Sequence, residues 1–139
     1  MIKLLSICLF LGSILFATTP ASANDTLLTA SGIKYIRLHE GNGLHPTTHQ
    51  TVKVVYCRKS ATGRIVESNE LGKPFKFRVD KPKVISGFNE VVKEMSEGEK
   101  LYCIIPPELG HGKTGKKRDD TSIEPNSTLY YYIEVLDIK

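Results

Sequence analysis

The 139-residue chain has no tryptophan, two methionines and three cysteines, and it carries little excess of either charge. Lys and Arg total 19 against 15 Asp and Glu, a net +4 that is scattered rather than gathered on one segment. That excludes the concentrated basic footprint of a nucleic-acid binder. No tract approaches the roughly 18 uninterrupted apolar residues of a membrane span. Metal-ligand sets are missing too. His39, His45 and His49 come nearest, but Pro46 interrupts them and no Cys or acid completes a standard set, so no metal is expected. What remains is ordinary: 40% hydrophobic and 24% charged residues exclude disordered, collagen-like and coiled-coil chains. The length fits one domain.

The first 23 residues are an export signal rather than part of the fold. Lys3 gives a positive start, Leu4 to Ala17 is apolar apart from Ser6, Gly12 and Ser13, and Ala21-Ser22-Ala23 has the small-x-small cleavage pattern. An uncleaved anchor would need a longer apolar part. A lipoprotein would need Cys8 at the end of the apolar run rather than inside it. Cleavage after Ala23 is expected, leaving no stable membrane anchor and a periplasmic or secreted protein. Residues 24–30 read as a short lead, and residues 31–139 as the domain.

Within the domain the hydrophobic period changes once. Ser31 to Leu38, Thr51 to Cys57, Arg64 to Ser68, Pro74 to Val79, Leu101 to Ile105 and Leu129 to Ile138 read as strands, short or alternating with a period of two. On the last, Leu129, Tyr131, Ile133 and Val135 share a face. Between them, Phe88, Val91, Val92 and Met95 follow the i, i+3, i+4, i+7 stripe of a helix, expected over Gly87–Gly98. So short a helix is stable only if its stripe is covered. The expected class is α+β: about five antiparallel strands forming a half-barrel around one short helix.

These segments carry a family resemblance. SGIKYIRLHEGNG, TVKVVY, GKPFKF, VISGFNEVVKEMSEGEK, IIPPELGHG and PNSTLYYYIEVLDI occur in this order. Together they resemble the FKBP-type peptidyl-prolyl isomerases, closest to the secreted bacterial, Mip-like branch, from Ser31 to Ile138. The resemblance implies an apolar pocket between helix and sheet that accepts prolyl peptides and macrolide inhibitors. By motif, Tyr56, Phe75, Val84, Ile85, Phe88, Ile123 and Tyr131 match pocket positions, with Phe88 as the floor where many relatives place tryptophan. Ile85 would offer its backbone N–H to a peptide carbonyl. The helical dimerisation segment of the Mip-like branch is not seen before Ser31, so a monomer is expected.

The implied chemistry breaks no bond, so no nucleophile, metal or cofactor is expected. Amide rotation faces a barrier of ~18–20 kcal/mol, and prolyl amides populate both isomers. Catalysis needs a pocket that grips the ring and hydrogen bonds that favour the twisted amide over the planar one. The sequence departs from the family at that pocket. Val66-Glu67-Ser68 stands where Phe-Asp-Ser is usual: Glu67 keeps a polarising carboxylate on a longer stem, and Val66 replaces an aromatic wall. His111-Gly112 replaces Tyr-Gly, and imidazole can donate in place of the phenol. Ser122 replaces an isoleucine, and Lys113 to Asp120 forms a longer loop, basic and then acidic. The expected catalytic residues are Tyr56, Glu67, Ile85 through its backbone N–H, and His111. Those expected to hold substrate are Val66, Phe75, Val84, Phe88, Ile123 and Tyr131. The alternatives are a proline-peptide binder or chaperone of low turnover, or a secreted host-interaction factor on the same fold. For Cys57 and Cys103, the family topology places their strands on either side of the last strand. Two strand spacings are ~9.6 Å, too far for a disulfide, whose Cα atoms rarely exceed ~6.8 Å apart.

Overall fold

The computed structural model describes residues 25–118 and 122–139. The expected export signal and the expected cleavage after Ala23 lie outside the described residues. The elements run β1 (Thr26–Leu28), β2 (Lys34–His39), β3 (Thr51–Lys59), β4 (Ile65–Ser68), β5 (Phe75–Arg78), α1 (Ser86–Glu94), β6 (Lys100–Ile105), a 3-10 turn (Pro107–Leu109) and β7 (Leu129–Ile138).

Among the described residues all seven strands belong to one antiparallel sheet, ordered β1-β2-β6-β7-β3-β4, with β5 off this path and paired to β3. The expected α+β sheet with a single helix is present, with seven strands instead of about five. Six of the seven were read as strand segments from the sequence. The free edge of β3 is divided, its start pairing with β5 through Val52↔Phe77 and its end with β4 through Arg58↔Glu67. The seventh comes from the segment read as a short lead before the domain, which contributes β1, paired with β2 through Leu27↔Tyr35. Three residues are too few to show a period, so β1 leaves no signature in the sequence.

The alternation read from the sequence sets the buried face. β7 has Leu129, Tyr131, Ile133 and Val135 buried, with less buried residues between them. β6 alternates in the same way, with Leu101, Cys103 and Ile105 buried. The helix covers this face with Phe88, Val91 and Val92, and Met95 just beyond its end is fully buried. Register shifts at Lys53/Val54 and Arg37/His39 mark irregularities at which a sheet bends.

The helix ends four residues before Gly98, the expected stop. Met95 is already extended. Ser96 to Glu99 form a turn in which the Glu99 carboxylate accepts hydrogen bonds from the Ser96 N–H at 2.9 Å and its hydroxyl at 3.1 Å. The other Glu99 oxygen takes Arg37 Nε at 2.7 Å. Glu99 is buried, and it is paired, as a buried charge must be. Gly98 serves this turn instead, at φ +83°.

Cys57 lies on β3 opposite Tyr132, and Cys103 on β6 opposite Tyr131. Their strands therefore flank β7, the topology on which the exclusion of a disulfide rested. Both thiols are buried and free.

Candidate active site

At one end of the core a cavity of about 440 Å³ opens between the start of α1 and the sheet. That is the size of a small-ligand pocket. Tyr56 reaches it from β3, Glu67 from β4, Phe75 from β5 and Tyr131 from β7. Val84 and Ile85 enter from the segment before the helix, Phe88 from its first turn, and His111 and Ile123 from the long connection before β7. A pair of backbone hydrogen bonds between Lys116 and Ile123, 2.8 and 2.7 Å, closes that connection and holds Ile123 in place.

The walls are an aromatic box. The Tyr56 ring is edge-on to Phe75 at 6.1 Å, Phe88 at 5.8 Å and Tyr131 at 5.9 Å. Phe88 meets Tyr131 at 5.3 Å and Phe77 at 5.8 Å, also edge-on. Such contacts fix ring orientation beyond what area burial would. Of the aromatic lining residues Phe88 is the most buried, at 4% exposed, while Tyr56 and Phe75 are half-buried.

Polar groups sit at one side. The Tyr56 hydroxyl donates to Glu67 Oε1 at 3.1 Å, and Arg58 Nη2 donates to Glu67 Oε2 at 3.4 Å. Burial, then the Glu67 charge, pushes the Tyr56 phenol up to about 12, so it stays a donor. Burial also raises Tyr131, whose hydroxyl has no hydrogen bond among the described residues and opens on the cavity. Burial first, then the charges of Lys116 and Arg58, hold His111 below the usual imidazole range. Ile85 takes the N-cap position of α1 with no side-chain cap, and its N–H makes no hydrogen bond among the described residues.

The structure gathers nine of the ten expected site residues around this cavity. Val66 is the exception and does not line it. Strand alternation that turns Glu67 inward turns its neighbour Val66 to the other face. Sequence reasoning missed Arg58, Pro82, Lys83, Lys116 and Arg118, which do line it. Arg58 had a signal. β3 runs two residues past the expected Cys57, and the period that buries Val52 and Val54 carries through Tyr56 to Arg58. Lys116 and Arg118 belong to a basic run that reads equally well as a solvated loop.

Comparison with known proteins addresses the same residues. The family model for FKBP-type peptidyl-prolyl cis-trans isomerase matches residues 43–136. A probable FKBP-type isomerase of Haemophilus influenzae is 38% identical over 119 residues, covering 85% of this chain and 47% of that protein. The isomerase FkpA of Escherichia coli K12 is 36% identical over 112 residues, covering 80% of this chain and 39% of FkpA. The chain thus spans less than half the length of these curated relatives. The crystal structure of FkpA superimposes with a TM-score of 0.73 at 35% identity, covering 82% of this chain and 51% of that one. A peptidyl-prolyl isomerase structure from Pseudomonas syringae pv. tomato gives 0.71 at 29% identity, covering 82% and 80%. With the match running from the turn before β3 almost to the end of β7, the chain belongs to the FKBP-type peptidyl-prolyl cis-trans isomerase family.

Proposed function

We propose that the protein catalyses cis–trans isomerisation of prolyl bonds in exported polypeptides, acting as a periplasmic or secreted monomer after cleavage behind Ala23. The observation that carries this is the open aromatic cavity with convergent hydrogen-bond donors at one side. The prolyl ring rests on Phe88 between Phe75, Ile123 and Tyr131, with Val84 at the rim. The Ile85 N–H takes a substrate carbonyl and anchors the chain on one side of the rotating bond. His111 and the Tyr131 hydroxyl donate on the other.

A twisted amide loses resonance, so its carbonyl is less polar and its nitrogen more pyramidal. An apolar box accepts that form with less loss of solvation than the planar amide suffers. Donors aligned to the twisted geometry add differential stabilisation, and each 1.36 kcal/mol gained there is about tenfold in rate. Glu67 orients Tyr56 and Arg58 rather than taking a proton. No nucleophile, metal or cofactor is required by this chemistry.

The test is isomerisation of a Leu-Pro peptide by the protein purified after export, with and without a macrolide pocket inhibitor. Acceleration abolished by the inhibitor is expected. Acceleration that the inhibitor leaves intact would place the activity outside this cavity. Peptide binding without acceleration would make the protein a prolyl-peptide binder.

A further inference from the structure

We propose that this site selects prolyl segments bearing an acidic residue directly beside the proline. The inference rests on the isomerase reading of the same cavity and adds its substrate class.

Charge around the cavity is one-sided. Among the described residues its lining holds Arg58, Lys83, Lys116 and Arg118 against the single carboxylate of Glu67. That carboxylate is already engaged by Tyr56 and Arg58, with Arg118 Nη1 at 3.7 Å. No carboxylate lies within ion-pair distance of Lys83 or Lys116 among the described residues. Lys83 is fixed at the rim: its ammonium donates to the Lys76 carbonyl at 2.7 Å and lies 5.0 Å from the Phe75 ring centroid. Lys116 is fixed by its backbone pairing with Ile123.

Arg58 is the stronger indication. Its side chain is 5% exposed, its contact with Glu67 is long at 3.4 Å, and its Nε is buried without a partner among the described residues. A buried cation is tolerated when paired and hydrogen-bonded, and this one is under-compensated in the free protein. A second anion entering the cavity would complete its neutralisation. A peptide carboxylate held beside the proline meets these cations in a partly desolvated site, where charge attraction is stronger than in bulk water. A lysine in the same place meets like charge and, among the described lining residues, no carboxylate beyond Glu67, which raises the discrimination.

The experiment uses two peptide series with Glu, Leu or Lys immediately before or immediately after the proline. Affinity is read by fluorescence anisotropy and isomerisation by exchange NMR, on the protein purified after export. In at least one series Glu should bind at least about tenfold tighter than Lys at low salt, a difference of about 1.4 kcal/mol. Raising ionic strength to about 0.5 M should shrink that ratio to about threefold or less, because the rim charges are screened. Lys83→Glu should erase or invert the preference, and Lys116→Glu serves equally should the first variant fail to fold by circular dichroism. Equal affinity for Glu and Lys peptides in both series, with Leu-Pro still isomerised, overturns the acidic preference and leaves the isomerase reading standing. A salt-sensitive Glu preference in binding, with no peptide accelerated, upholds the charge selection and removes the isomerase reading.

Discussion

Replacing Tyr131 by phenylalanine separates the chemistry of the site from its stability. Only 7% of Tyr131 is exposed, and its ring is edge-on to Phe88 at 5.3 Å and to Tyr56 at 5.9 Å. Those contacts belong to the ring and survive the change. The hydroxyl has no hydrogen bond among the described residues, whereas the Tyr56 hydroxyl donates to Glu67 at 3.1 Å. A buried hydrogen bond to a charged group contributes about 1.5–3 kcal/mol, and Tyr56 is only half-buried, so Tyr56→Phe should cost about 1 kcal/mol. In a domain of this size that lowers Tm by roughly 4 °C. Tyr131→Phe removes no internal bond and relieves a poorly solvated hydroxyl, so its Tm should hold within about 1 °C or rise. Turnover should move the other way. A hydrogen bond to the substrate contributes about 0.5–1.5 kcal/mol, so kcat/KM for a Leu-Pro peptide should fall about two- to twelvefold. Scanning calorimetry and exchange NMR read the two effects on the same samples. A Tm loss as large as that of Tyr56→Phe, with turnover unchanged, would mean that the hydroxyl serves the protein and not the substrate.

Acidity gives a second handle. His111 is held below the 6.5 of a free imidazole, so the midpoint of the inflection it gives kcat/KM should lie below that value. Folding stability follows the same sign: the unfolded chain binds the proton first, so stability contributed by neutral His111 is lost as pH falls below 6.5. His111→Gln should remove the kinetic inflection, and an inflection above 6.5 would contradict the assigned environment. At Gly87 a Cβ would lie 2.5 Å from Ile105 Cγ2 and 2.9 Å from the Leu109 carbonyl oxygen. Gly87→Ala should therefore destabilise by about 1–3 kcal/mol in denaturant titration and weaken prolyl-peptide binding, because the displaced helix start carries Ile85 and Phe88. Both cysteines are buried and free, and burial pushes Cys103 up to about 12. The native protein should react slowly with a thiol reagent and release its thiols on unfolding without reductant. Finding no thiol in the unfolded monomer would overturn the topological exclusion of a disulfide.

Where periodicity was strong, the fold was legible. The alternation of Leu129, Tyr131, Ile133 and Val135 gives β7 and its buried face, and the stripe from Phe88 to Met95 gives the helix that covers it. Boundaries were less legible because side-chain bonding at a distance sets them. The helix stops at Glu94 because Glu99 takes the Ser96 N–H and is itself held by Arg37, 62 positions earlier in the chain. β1 exists because β2 offers it an open edge, a property of the sheet rather than of three residues. At the site, the aromatic positions were readable from motifs, but its charge was not. Arg58 needed the true end of β3, and Lys83, Lys116 and Arg118 needed the folded path of two loops. Val66 was assigned by analogy to an aromatic wall, and alternation with Glu67 takes it out of the cavity.

The most direct measurement is two-dimensional exchange NMR on a Leu-Pro peptide mixed with a trace of the purified protein, with the protein's own spectrum recorded as the peptide is titrated. Exchange between the cis and trans peptide signals should speed up in proportion to protein concentration, while the resonances of Tyr56, Ile85, Phe88 and Tyr131 shift together. Exchange no faster than in the peptide alone, with those four resonances unmoved at saturating peptide, would contradict a prolyl-isomerising cavity at this place in the fold.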